Sequence, residues 1–171
     1  MTYPPPLTPV FPAGYGETPA GMDALIQAPL GFCATGIVFR AHQTISQTFT
    51  SAATWYALSF DTVDEDPWSG WNAGTNQWTP PASGTGWYEV TFSWSYASSL
   101  GFANSSIVVS GTRYVTGQNA SYSASGGSYI VPLTGATDYV EADVRLSVAG
   151  RTSVVSSAGF QSAISIAFIS T

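Results

Sequence analysis

The chain has 171 residues, of which 44% are hydrophobic and only 8% are charged, and its formal net charge is −6. This length and this apolar content are enough for one domain with a proper core and exclude general disorder. Four arginines and no lysine are too few for a phosphate-binding surface, so we expect neither nucleic acid nor a membrane as a partner.

The single cysteine and the character of the first residues indicate synthesis in a reducing cytoplasm. Cys33 is the only cysteine, which excludes an intrachain disulfide and a cysteine metal site. The first residues, MTYPPPLTPVF, have neither a basic start nor an apolar core, so we expect no signal peptide.

Residues 1–35 differ in composition from the rest of the chain. They contain seven prolines, which disfavour helix and central strand. A pure linker would be polar, yet this segment carries apolar side chains at Tyr3, Leu7, Val10, Phe11, Tyr15, Leu25 and Ile26. We interpret residues 1–35 as an extended anchoring arm that becomes ordered on another surface, and residues 36–171 as the folded domain. Loose packing of the arm on its own domain is the alternative.

Alternation of apolar and polar residues predicts strands along residues 36–171, because successive side chains of a strand point to opposite faces. The clearest segments are 36–43, 88–96, 104–110, 140–148 and 160–168. A turn at Gly111-Thr112 leads to a short strand at 113–116, and residues 117–128 read as a loop or a weak edge strand. With eight to ten strands and no convincing helix, the sequence predicts an antiparallel sandwich or jelly roll.

Two runs of residues resemble the tumour necrosis factor and complement globular-head superfamily. The first holds Phe60, Asn72, Gly74-Thr75, Trp78, Pro80-Pro81 and the strand Gly86–Phe92. The second, Leu133–Val140, is similar to the Leu-x-x-Gly-Asp-x-Val entry to that family's long strand, except that Gly135 and Asp138 are separated by two residues. The resemblance covers about residues 36–171.

This resemblance implies a jelly roll of about ten strands that associates as a threefold homotrimer and binds partners without catalysis. The chain lacks the collagen-like stalk and secretory signal of the animal proteins. Versions of this fold without a signal are virion proteins of bacteriophages, made in the host cytoplasm. We therefore expect a capsid decoration or minor capsid protein, held by its arm on the major capsid protein or another virion lattice. The alternative is the receptor- or glycan-binding head of a tail fibre.

The acidic segment 61–66 is the one cluster of carboxylates in the sequence. Asp61, Asp64 and Asp66 are candidates for binding calcium through oxygen ligands. A solvated loop is the plainer interpretation, and glycoside hydrolysis would require a second carboxylate, for which Glu89 is the nearest candidate. His42 is the only histidine and has no serine–acid partner in sequence, so we expect no catalytic residue and no cofactor.

The long central loop is rich in tryptophan. Trp68, Trp71 and Trp78 stand near glycine or proline, and exposed indoles stack on sugar rings, so these residues are candidates for contact with a host-surface glycan or a partner. Tryptophans in such positions also fill the edge of a core or an oligomer interface. The sequence leaves both interpretations open.

Overall fold

The computed structural model describes residues 36–96, 102–120, 124–153 and 162–170. Within these residues the chain forms thirteen strands and no helix. The longer strands are β1 (Ile37–His42), β4 (Thr62–Glu65), β7 (Thr85–Ser95), β8 (Phe102–Val109), β9 (Thr112–Ala120), β10 (Ala124–Thr134), β11 (Val140–Leu146) and β13 (Ala163–Ser170). The shorter strands are β2 (Thr48–Phe49), β3 (Trp55–Ala57), β5 (Trp71–Asn72), β6 (Gln77–Trp78) and β12 (Arg151–Thr152). The predicted arm, residues 1–35, lies outside the described residues.

The strands form two antiparallel sheets. Sheet 1 has the order β10-β7-β13-β1-β4, and sheet 2 has the order β5-β6-β11-β8-β9, with β3 also paired to β11. Strands β2 and β12 make a separate pair. The all-β antiparallel class predicted from the alternation is confirmed.

The core lies between the two sheets and contains the apolar positions of the alternating strands. In β7 the buried and exposed residues alternate as predicted, and Tyr88, Val90, Phe92 and Trp94 are each at most 2% exposed. In β11 the inward positions Val140, Ala142, Val144 and Leu146 are buried as well. Local periodicity was sufficient for these strands because one face of each is covered along its whole length.

The segment 117–128 was predicted to be a loop or a weak edge strand. Residues 117–120 continue β9, and residues 124–128 begin β10. Each strand stands at the end of its sheet order, so the edge-strand interpretation is the one observed. The turn between β8 and β9, predicted at Gly111-Thr112, lies one residue earlier at Ser110-Gly111, where both residues have positive φ, as a type I′ hairpin turn requires.

No helix among the described residues has the length and apolar character needed to cross a membrane.

Candidate functional site

The acidic segment does not converge on one point. Asp61 accepts hydrogen bonds from the backbone amides of Thr44 and Ile45, at 2.9 Å to Oδ1 and 2.8 Å to Oδ2, and from the Thr44 hydroxyl. Burial raises the pKa of Asp61, but these hydrogen bonds outweigh burial and hold the pKa below its ordinary value. Asp61 therefore fixes the turn after β1.

The other two calcium candidates have separate partners. Asp64 contacts His42 Nδ1 at 2.9 Å on the edge strand β4. Asp66 accepts hydrogen bonds from the backbone amides of Gly70 and Trp71, at 3.0 and 2.9 Å. No group of three or more potential metal ligands occurs among the described residues. The geometry gives the calcium hypothesis no support, and it stays a prediction.

The three candidate tryptophans pack against aromatic residues of the jelly roll. Trp78 has no exposed surface and stacks between Phe39 and Trp68, with ring centroids 6.2 and 5.9 Å away. A buried ring cannot contact a glycan, so Trp78 leaves the candidate set. Trp68 and Trp71 are partly exposed, although Trp71 also stacks on Phe39 at 5.1 Å. Contact with a glycan stays a prediction for these two residues.

A covered polar cluster lies on the outer face of sheet 2. Asp143 alternates with the inward positions of β11 and so lies on the outer face of the sheet, yet it is only 2% exposed. Arg113 pairs with its carboxylate, and the Arg113 guanidinium lies 4.4 Å from the centre of the Trp55 ring. This cluster contains residues of β3, β9 and β11. The attraction between the Arg113 cation and the face of the Trp55 ring helps to hold Arg113 over Asp143.

Glu141 stands two residues before Asp143 on the same face. Burial, together with a hydrogen bond and repulsion from the Asp143 carboxylate, raises the pKa of Glu141 to about 7. Gln77 Nε2 donates to Glu141 Oε2 at 3.0 Å, which opposes part of this rise. The folded chain therefore holds a proton at Glu141 more tightly than the unfolded chain does.

We expect the free energy of unfolding to fall as pH rises from about 4.5 to about 7, because the unfolded chain releases the Glu141 proton first. The side chain is partly exposed, so solvent screening reduces the change to about 1–2 kcal/mol. The substitution Glu141→Gln should remove this dependence and stabilise the protein at pH 8. Urea unfolding followed at pH 5 and pH 8 measures both effects.

The matched control is Glu65→Gln, because Glu65 lies in an exposed ion pair with Arg40 on the other sheet. This variant should keep the pH dependence of the wild type. The lowered pKa values of Asp61 and Asp138 act below pH 4, outside the tested range. Equal pH dependence in Glu141→Gln and the wild type would contradict the prediction.

The outward face of sheet 1 presents large apolar side chains to solvent. Trp87 on β7 is 46% exposed and Ile130 on β10 is 55% exposed, and both strands are paired throughout this region. Ile169, next to the β13 residue that pairs with Trp87, is 48% exposed. We call these three residues the sheet 1 patch. Exposed apolar residues clustered on one face are typical of a protein-binding surface.

Beside the sheet 1 patch the same face is lined by small side chains. Ala163, Ser165 and Ala167 lie on β13, and Thr91 and Ser93 lie on β7. Strands β7, β10 and β13 together contain only one acidic or basic residue, Glu89. A flat face with so little charge can be covered by another protein at low desolvation cost.

Comparisons of the sequence alone find nothing, since no protein-family model and no curated protein matches it. Comparison of the structure finds many similar chains. The globular domain of zebrafish complement 1qA matches with a TM-score of 0.55 and 11% identity, over 77% of this chain and 95% of that domain. Murine APRIL at pH 8.0 matches with a TM-score of 0.57 and 10% identity, over 78% of this chain and 98% of that one. The PRD1 vertex protein P5 matches with a TM-score of 0.56 and 10% identity, over the same shares.

The chain has the jelly-roll fold of the tumour necrosis factor and complement heads. The runs that carried the resemblance have clear structural roles in this fold. The Tyr88 hydroxyl donates to the Gly84 carbonyl oxygen, and burial raises the pKa of Tyr88 to about 12. Asp138 accepts hydrogen bonds from the Thr134 amide and hydroxyl, each at 2.7 Å, so the two residues inserted after Gly135 form part of a closed turn.

The sheet 1 patch was not predicted from the sequence, although one signal was available. Trp87 and Tyr88 are adjacent aromatic residues in an alternating strand, so only one of them can face the core. Tyr88 is buried, and Trp87 therefore points away from the jelly-roll core. Ile130 carries a similar signal, because it precedes the buried residue Val131 in β10.

Proposed function

We propose that the protein is a non-enzymatic structural protein of a bacteriophage virion. It acts as a trimeric capsid decoration or minor capsid protein. Its three copies meet through the outward faces of sheet 1, and its residues 1–35 attach it to the major capsid protein or another part of the virion lattice.

The observation that carries this proposal is the apolar, nearly uncharged outward face of strands β7, β10 and β13 in sheet 1. In a lone molecule the three apolar side chains of the sheet 1 patch are each about half exposed to water, which favours association with another protein. The chain as a whole has 8% charged residues, so little electrostatic repulsion opposes the meeting of identical copies. A self-associating protein fits these properties better than an enzyme with a solvated cleft.

The virion assignment has two supports. One protein of the same fold, the PRD1 vertex protein P5, is a phage protein. The proline-rich segment 1–35 with its apolar side chains suits an extended tether, because such a segment can bind along a partner's surface without forming a core of its own.

The experiment that tests this function is the copy number of the chain in purified phage particles, measured by quantitative mass spectrometry against the major shell protein. A copy number comparable to that of the shell protein supports capsid decoration. A few copies per particle would indicate a vertex or tail position instead, and absence from particles would overturn the virion assignment.

Deletion of residues 1–31 should abolish binding to particles that lack the protein, while the jelly roll stays folded and trimeric. Co-sedimentation of purified protein with such particles measures binding, and far-UV circular dichroism reports the fold. A full-length control, in which Leu7, Val10 and Phe11 are replaced by serine, separates loss of the apolar contacts from loss of chain length. Binding retained by the deletion variant would contradict the anchoring role.

A glycan-binding head is the second candidate, and the observation that favours it is the partial exposure of Trp68 and Trp71. Both rings rest on other aromatic rings, with Trp68 5.9 Å from Trp78 and Trp71 5.1 Å from Phe39 between centroids. Because these contacts occupy one face of each indole, they reduce the aromatic surface that could stack on a sugar.

A further inference from the structure

Glu89 occupies an unusual place in the proposed trimer interface. It lies on β7, which stands between β10 and β13 in sheet 1, and its cross-strand partners are Ile130 on one side and Ala167 on the other. The side chain is exposed in the single chain, on the face that carries Trp87. A carboxylate therefore interrupts the surface that would otherwise be neutral.

The neighbours of Glu89 provide hydrogen bonds but no counter-charge. Ser128 on β10 donates its hydroxyl to Glu89 Oε1 at 2.9 Å, and Thr91 donates to Ser128 at 3.0 Å. On β7, β10 and β13 no other acidic or basic residue exists. The first charge beyond them is Arg40 on β1, which is already paired with Glu65 at 2.8 Å.

We propose that assembly of the trimer neutralises Glu89 by uptake of protons, so that the three copies associate more tightly as pH falls. This inference rests on the proposed trimer through sheet 1. It assigns to Glu89 the role of a titratable control on that interface.

The physical reason is the cost of burying like charges together. A threefold assembly contains three copies of Glu89, one on each of the faces that meet. Like charges placed next to each other at an interface cost several kcal/mol. A carboxylate removed from water without a counter-charge tends to be neutralised rather than to remain ionised. The Ser128 hydroxyl can satisfy one oxygen of the carboxylate, but it cannot cancel the charge.

The test is the association constant of the full-length protein between pH 5 and pH 8, measured by sedimentation equilibrium in buffers containing EDTA. If at least one proton enters each trimer, association should weaken at least tenfold per pH unit, and up to a thousandfold if all three carboxylates take one up. Glu89→Gln should assemble more tightly than the wild type at pH 8 and show no pH dependence. Glu65→Gln, which removes a carboxylate from the edge of the same sheet, should behave as the wild type.

The outcomes separate this inference from the proposed trimer. A trimer with the same pH-independent association in the wild type and in Glu89→Gln would overturn proton uptake and leave the trimer intact. A wild type that assembles only when Ca²⁺ replaces EDTA would also overturn it, because a metal ion would then supply the neutralising charge. Monomers of both proteins at every pH would overturn the trimer and this inference together.

Discussion

Replacement of Trp78 by alanine is expected to lower the free energy of unfolding by about 3–5 kcal/mol. Trp78 is completely buried, and its ring packs on Phe39, Trp68 and Tyr88, at centroid distances of 6.2, 5.9 and 5.9 Å. Its indole nitrogen also donates to Asp66 Oδ1 at 3.3 Å, so truncation leaves a cavity and removes one of the two hydrogen bonds to that oxygen, the other coming from the Gly70 amide. Natural domains have only about 5–15 kcal/mol of stability, so this loss is a large fraction of the total.

Urea unfolding followed by far-UV circular dichroism measures the loss. Trp78→Phe should lower the free energy of unfolding less than Trp78→Ala does, because the smaller aromatic ring keeps part of the stacking. It still loses the hydrogen bond to Asp66. Ile45→Ala is the control for substitution of an apolar residue outside the core, since Ile45 is 69% exposed, and its effect should stay within about 0.5 kcal/mol. An unchanged urea midpoint in Trp78→Ala would contradict the assignment of this loop to the core.

The double substitution Trp87→Glu and Ile130→Glu should convert the proposed trimer into folded monomers. Each copy would then carry two new carboxylates beside Glu89 on the face of sheet 1. Repulsion and desolvation of these groups at the interface should cost several kcal/mol, which corresponds to at least a hundredfold weaker association. The fold should survive, because both side chains are about half exposed in the single chain.

Sedimentation velocity at micromolar concentration measures the change in mass. Ile45→Glu is the control, because it introduces one carboxylate, half the added charge of the double variant, at a more exposed apolar residue that lies outside sheet 1. This control should keep the mass of the wild type. A double variant that remains trimeric would show that the copies meet through a different surface.

The two pH effects can be distinguished because they act on different equilibria. Glu141 lies on the outer face of sheet 2 and changes the free energy of unfolding, whereas Glu89 lies on sheet 1 and changes the association of copies. Glu141→Gln should therefore alter the urea midpoint without removing the pH dependence of assembly. Glu89→Gln should do the reverse.

The three aspartates of the acidic segment are close in sequence, but they do not come together as a calcium site in the described structure. Asp61, Asp64 and Asp66 stand within six residues, which suggested a shared ligand. In the fold Asp61 accepts hydrogen bonds from the backbone after β1. Asp64 contacts His42, and Asp66 accepts hydrogen bonds from backbone amides of the loop that follows it. Hydrogen bonds to separate backbone and side-chain partners direct each carboxylate, and those partners are not evident from local spacing.

The class of the fold and the inward face of the main strands could be predicted from the amino-acid sequence. Alternation is a local property, since each side chain's face follows from its position along the extended chain, and so β7 and β11 could be predicted without knowledge of their neighbours. The run from Phe60 to Phe92 and the run Leu133–Val140 together carried the resemblance to the tumour necrosis factor and complement heads.

Only the tertiary structure decided what covers each outward face. Asp143 is buried because Arg113 and Trp55, which are distant in sequence, close over it across sheet 2. Glu89 has no charged neighbour among the described residues because the strands on either side of β7 are β10 and β13, which carry no acidic or basic residue. This order places residues 124–134 on one side of β7 and residues 163–170 on the other. Burial and charge isolation depend on contacts between separate strands, and strand order is not a local property of the chain.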